Sequence, residues 1–212
     1  MVHAARARAS AFLSALVISA AASVFTVSPA AARADDCVGN WSIGVGGLAI
    51  GVLGFGENST YLAVDQRVGY NSADPMSGLR ELDRLFWQHR TACPDDHVTL
   101  IGHSEGAGII HSWVTAHQGM PNVNAILLSD PKRVAGPGSA GLSGDTLAPL
   151  VGYPLAGVDA DFGDLPVLQV CQHDDVICNE EAGWFGYLTG AHGRYDYNSR
   201  HYSHDASGAW FR

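Results

Sequence analysis

The feature that most constrains this chain is the pentapeptide Gly102-His103-Ser104-Glu105-Gly106, together with what flanks it. A β-branched, apolar run over residues 97–101 leads in, and residues 107–116 lead away with the composition of a buried helix. A serine on so short a strand-to-helix connection needs a tight turn. Glycine two residues before and two after it removes Cβ atoms that the crowded backbone cannot hold. Such a turn stands at the carboxyl end of a strand in a parallel sheet, the edge at which α/β sheets bind their ligands. The chain must then supply further strands and helices in alternation, and Ser104 becomes a candidate nucleophile.

The rest of the sequence meets that requirement. Apolar runs at 41–48, 63–70, 125–128 and 166–170 read as strands. Met76, Leu79, Leu82, Leu85 and Phe86 recur three or four residues apart with charged residues between them, which predicts an amphipathic helix. A weaker helix is expected over 179–188, and 135–164, rich in Gly, Pro and Ser, is expected to form surface loops. This order predicts an α/β fold, a parallel sheet with helices on both faces. No repeat, low-complexity block or charge run divides it.

Residues 1–34 stand apart. Arg6 and Arg8, an apolar run over 9–27, and Ala32-Arg33-Ala34 together read as a secretory signal peptide cleaved near Ala34, before Asp35. An uncleaved membrane anchor is the alternative, since about 19 apolar residues just span a bilayer. Residues 35–212 are then a single catalytic domain of an exported protein. Losing Arg6, Arg8 and Arg33 takes its formal charge from -9 to -12. Charged residues make up only 16%, Lys132 is the one lysine, and no basic cluster follows the N-terminus, which argues against a nucleic-acid partner.

Cys37, Cys93, Cys171 and Cys178 make an even set, pointing to two disulfides in an exported chain, although four cysteines permit three pairings. Loop length favours Cys171 with Cys178, leaving Cys37 for Cys93. Their spacing lacks the close pairs of a metal site. The loop after the 166–170 strand carries Asp174 and Asp175, an acid at the same sheet edge as Ser104. His192 follows in a glycine-bounded loop, giving the order serine, acid, histidine of a catalytic triad. His173 is a weaker candidate base. His103, His201 and His204 read as packing or surface residues, and Trp87, Trp113, Trp184 and Trp210 as core or helix-face residues.

The combined pattern resembles the cutinase-type serine esterases, a group that includes the bacterial PE-PPE hydrolase domains. It rests on the pentapeptide, on Asp130-Pro131-Lys132-Arg133, on the C-x-x-x-D-x-x-C run from Cys171 through Asp175 to Cys178, and on His192-Gly193-Arg194-Tyr195. The resemblance implies an α/β hydrolase-type three-layer sandwich with a mainly parallel central sheet and no large lid. It implies Ser104 as nucleophile, Asp175 as orienting acid, His192 as base, and disulfides Cys37 to Cys93 and Cys171 to Cys178. The oxyanion hole it implies has the Glu105 N–H as one donor and the loop at Gly46-Gly47-Leu48 as the other, with Glu57-Asn58-Ser59-Thr60 as a rival. Glu105 departs from the family, which usually has Gln there, and Arg133 or another cation is its expected partner.

The function implied is a secreted carboxylesterase acting on apolar short- to medium-chain esters, with no cofactor and no metal. The expected partners are ester or lipid substrates and, transiently, lipid or polymer surfaces, with the protein itself a monomer. Lipase, phospholipase and mycolyl esterase are neighbouring readings. An inactive module that binds lipid or polymer is the reading from another class.

Overall fold

Strand and helix alternate along the chain to build one six-stranded sheet whose strands lie in the order Gln66–Arg67, Asn40–Val45, His97–His103, Val123–Leu128, Val167–Cys171 and Gly208–Phe211, every pairing parallel. The computed structural model describes residues 37–51, 54–56, 59–144 and 152–212, and the side chains of these outside 49–58. The sequence readings at 1–34 and at Glu57 and Asn58 lie outside the described residues. The strands are β1 (Asn40–Val45), β4 (Gln66–Arg67), β5 (His97–His103), β6 (Val123–Leu128), β7 (Val167–Cys171) and β8 (Gly208–Phe211), and a separate antiparallel pair joins β2 (Ala49–Gly51) to β3 (Gly54–Gly56). The helices are α1 (Pro75–Ala92), α2 (Glu105–Ala116) and α3 (Trp184–Leu188).

Alternation along each central strand divides the core in two. Val98 and Leu100 of β5, Ala125 and Leu127 of β6 and Ile43 and Val45 of β1 point to one face. There they meet Leu82 and Phe86 of α1 and Ile109, Ile110 and Trp113 of α2. Ile101, Ile126, Leu128, Leu168 and Val170 point to the other face, where Tyr195, Tyr197 and Tyr202 cover them. The third layer is therefore built at this core from the segment after His192, with 3-10 turns in place of a long helix. Both disulfides join the expected partners, Cys37 to Cys93 and Cys171 to Cys178.

Three local expectations change. The strand read at 63–70 shrinks to Gln66–Arg67, an edge strand that pairs only with Ile43 and Gly44, with Ala63 making a lone bridge to Asn198. The helix read over 179–188 is interrupted at Gly183, whose φ of 68° ends a 3-10 turn before α3 begins. Strand β8 carries Trp210, which is 40% exposed and lies on no helix. Trp184 stands exposed on α3, and Trp113 is buried in the core, both within the reading of these residues as core or helix-face.

Candidate active site

Strand β5 ends at His103 and α2 begins at Glu105, so Ser104 alone makes the turn. Its φ of 58° and ψ of -124° lie where residues with a side chain are rarely found, and the turn is held because its N–H donates to Leu128 O at 2.9 Å. The flanking glycines answer to contact. A Cβ on Gly102 would lie 2.6 Å from the Gly106 carbonyl, and one on Gly106 would lie 2.1 Å from the Val45 carbonyl. These are backbone atoms and cannot swing aside, so the helix start is pressed directly onto the end of β1.

The acid comes from the loop after β7. Asp175 is fully buried, and its carboxylate accepts from His192 Nδ1 at 2.9 Å, from Tyr195 Oη at 2.7 Å and from Ser129 Oγ at 2.6 Å. Ile177 N–H supplies a fourth bond at 3.1 Å. Burial alone would raise the pKa of this carboxyl, but the bond and charge of His192 and the two hydroxyls outweigh it and hold the group below the usual range. Ser129 follows β6 with a φ of 53° and lies within 3.0 Å of His192 Nδ1 as well. Ser129 and Tyr195 thus brace the acid, and Ser129 also touches the imidazole. No local motif marks Ser129, and Tyr195 closes the His192-Gly193-Arg194-Tyr195 stretch with nothing in that stretch to indicate its bond to Asp175.

Ser104 and His192 line one cleft of about 400 Å³, with Gly47, Leu48, Tyr61 and Tyr187 among its walls. The residues chosen for the triad and for the loop after β1 thus meet at the carboxyl edge of the sheet. His173 does not join them: its exposed ring pairs with Asp174 at 3.2 Å. His201 pairs with Asp196, and His204 stacks on His97 at 3.8 Å.

A protein-family model described as Cutinase matches residues 29–206. The chain belongs to the cutinase family. It is therefore a carboxylic ester hydrolase. No curated protein sequence matches it. Among solved structures, a cutinase-like protein from Cryptococcus sp. superposes with a TM-score of 0.53 at 16% identity, covering 76% of this chain and 90% of that one. A YdeN-like hydrolase from Pectobacterium atrosepticum gives 0.43 at 15% identity, covering 73% and 74%. An alpha-beta serine hydrolase homologue from Coxiella burnetii gives 0.35 at 12% identity, covering 80% and 74%. The Cryptococcus match establishes a shared fold.

Within this cutinase fold His103 does more than pack. Its Nε2 lies 3.0 Å from the His192 carbonyl, which can only accept, so Nε2 carries the hydrogen. Nδ1 then accepts from Tyr61 Oη at 2.9 Å, and Tyr61 Oη accepts from the Gly47 N–H at 2.9 Å. One proton arrangement satisfies the whole chain. Burial and the neighbouring His192 press the His103 pKa down to about 3, and burial raises Tyr61 to about 12, so both stay neutral.

The family motif Asp130-Pro131-Lys132-Arg133 serves the surrounding scaffold. Asp130 accepts from His111 Nδ1 at 2.7 Å and from Gln169 Nε2 at 2.8 Å. Lys132 donates to Ala156 O. Arg133, expected opposite Glu105, instead donates to the carbonyls of Cys178, at the end of the acid loop, and of Pro137 and Ser139, a few residues after it, which its planar fork of donors can reach together. Glu105 is left without a cation among the described residues, its Oε2 has no hydrogen-bond partner, and burial pushes its carboxyl up to about 7.

Proposed function

We propose that the chain is an exported serine carboxylesterase that hydrolyses apolar short- to medium-chain esters through Ser104, His192 and Asp175. The observation that carries this reading is the His192–Asp175 contact at 2.9 Å on the wall of the cleft that Ser104 also lines. Ser104 Oγ attacks the ester carbonyl while His192 Nε2 takes its proton. The tetrahedral oxyanion collapses, the alcohol leaves with that proton, and an acyl-enzyme remains. Water, activated by the same imidazole, then releases the acid. Asp175, fixed by Ser129 and Tyr195, keeps the Nδ1 hydrogen of His192 directed toward itself and so leaves Nε2 to act as base.

The developing oxyanion is met by the N–H of Glu105, the first residue of α2 and one of those a helix leaves without an internal partner. The second donor is assigned to the loop at Gly47 and Leu48. Since the Gly47 N–H serves Tyr61, the Leu48 N–H takes that part. Export follows from residues 1–34 read as a cleaved leader, and two disulfides fit an oxidising compartment. Exposed Leu48 beside the cleft, and Phe185 and Leu188 on α3, the helix that contributes Tyr187 to it, make an apolar rim suited to lipid or polyester surfaces.

A fluorophosphonate ester tests the reading. It should label the wild-type protein at Ser104, and Ser104→Ala should lose both the label and p-nitrophenyl ester hydrolysis with its circular dichroism unchanged. Hydrolysis retained within about tenfold would sink the assignment.

A further inference from the structure

Tyr61 enters the cleft from neither the nucleophile turn nor the acid loop, and its ring is fixed from two sides. It sits in a turn closed by the Leu62 N–H on the Ser59 carbonyl at 3.0 Å. Two residues on, Ala63 is tied to the segment after His192: its N–H donates to the Tyr197 carbonyl at 3.0 Å and its carbonyl accepts from Ser199 Oγ at 3.1 Å. The Tyr61 ring meets the Tyr197 ring nearly edge-on at 4.8 Å. The hydroxyl is thereby delivered to one place.

Three pieces of the cleft converge there. Tyr61 Oη accepts from the Gly47 N–H at 2.9 Å and lies 2.9 Å from His103 Nδ1, while His103 Nε2 donates to the His192 carbonyl at 3.0 Å. A carbonyl only accepts, so His103 carries its hydrogen on Nε2, and the single hydrogen of the phenol goes to Nδ1. Donor meets acceptor at every step from the loop after β1 to the residue proposed as base. Ser104 lies between those ends: a Cβ on Gly47 would stand 3.0 Å from Ser104 Cβ and 3.4 Å from the His103 carbonyl, so the loop cannot shift without moving against the serine.

We propose that Tyr61 is a positioning residue of the ester hydrolase, whose hydroxyl holds the Gly47 and Leu48 loop and the His192 loop at a fixed separation across Ser104. The assignment rests on Ser104 and His192 acting as nucleophile and base. During attack, negative charge gathers on the carbonyl oxygen while the serine proton passes to the imidazole, so the oxyanion donor and the base must be aligned on one substrate carbonyl together. A hydroxyl bonded toward both loops sets that alignment before substrate arrives. Phenylalanine keeps the ring and its contact with Tyr197 but leaves the Gly47 N–H and His103 Nδ1 without their shared partner.

The experiment compares the disulfide-bonded wild type with Tyr61→Phe, His103→Phe and the double variant on p-nitrophenyl butyrate, and measures inhibition by n-butylboronic acid, which imitates the transition state by forming a tetrahedral adduct on a serine. Tyr61→Phe should lower kcat by at least about tenfold with KM within about twofold, and raise the boronate Ki by the factor by which kcat/KM falls. The double variant should lose no more than about threefold beyond the worse single one, because either substitution breaks the same chain. Nitrogen chemical shifts of His103 in the wild type add a check that needs no variant to fold, and should show hydrogen on Nε2 and an accepting Nδ1. A kcat within twofold of wild type overturns the proposal, as do losses that multiply in the double variant, an unchanged boronate Ki, or a hydrogen on Nδ1. If the wild type neither hydrolyses the ester nor binds the boronate, the reading of Ser104 fails and the role of Tyr61 with it; if it does both and Tyr61→Phe matches it, only the role of Tyr61 falls.

Discussion

His103 Nε2 hydrogen-bonds the backbone carbonyl of His192 at 3.0 Å, so the residue just before Ser104, the proposed nucleophile, holds the residue proposed as its base. The two rings lie 4.6 Å apart. His103→Phe keeps the ring and loses both of its hydrogen bonds, leaving the His192 carbonyl and Tyr61 to find other partners. We expect stability to fall by about 1–3 kcal/mol, and kcat to fall by at least about tenfold with KM little changed, since a base displaced by a fraction of an ångström loses turnover before binding. Steady-state kinetics on p-nitrophenyl butyrate decide it; kcat within twofold of wild type removes the anchoring role.

Ser129→Ala withdraws one donor from an ionised, buried carboxylate. Hydrogen bonds to charged groups contribute roughly 1.5–3 kcal/mol, so urea unfolding near neutral pH should show a loss of about that size. The folded-state pKa of Asp175 is depressed, and its stabilising effect is therefore present above the unfolded-state value and fades as pH falls through the folded one. The gap between variant and wild type should narrow in acid. A gap that stays constant with pH assigns the loss to packing alone.

Glu105 has the opposite sign. Its folded-state pKa is raised from 4.5 to about 7, so between those values the native state binds more proton than the unfolded chain and stability falls as pH rises. The span corresponds to roughly 3 kcal/mol. Glu105→Gln lacks the titration, so its unfolding free energy relative to wild type should increase from about pH 4.5 to pH 7 and then level. A difference independent of pH shows that the carboxyl ionises freely in the fold.

Phe185 and Leu188 are 80% and 79% exposed on α3. Replacing both with serine should leave hydrolysis of a soluble short-chain ester within about twofold, and lower the rate on an emulsified triglyceride by about tenfold, since only the second reaction needs adsorption to an apolar surface. Equal effects on both substrates point to a contact inside the cleft.

Ser104, α1, α2 and the disulfide of the acid loop were legible because each is written locally, in a motif, in three-and-four spacing or in a short cysteine loop. The hydroxyls of Ser129 and Tyr195 were not, because their bonds to Asp175 cross 46 and 20 positions and no periodicity announces them. Strand β8 escaped notice for a related reason: Gly-Ala-Trp-Phe becomes a strand by pairing with β7. Opposite charge suggested Arg133 for Glu105, but carbonyls close to Arg133 claimed its donors first. Charge alone does not find a partner when backbone acceptors lie nearer.

The crowding at Gly102 and Gly106 leaves the five-residue turn with an uneven capacity for change. Its glycines are sealed by main-chain atoms and its serine is the proposed nucleophile, so laboratory evolution has only His103 and Glu105 to rewrite. One reaches the loop of His192, the proposed base, and the other opens α2 with the N–H proposed to meet the oxyanion. Libraries restricted to these two letters would therefore vary the surroundings of those two proposed groups separately, while the bend that presents the serine stays as it is.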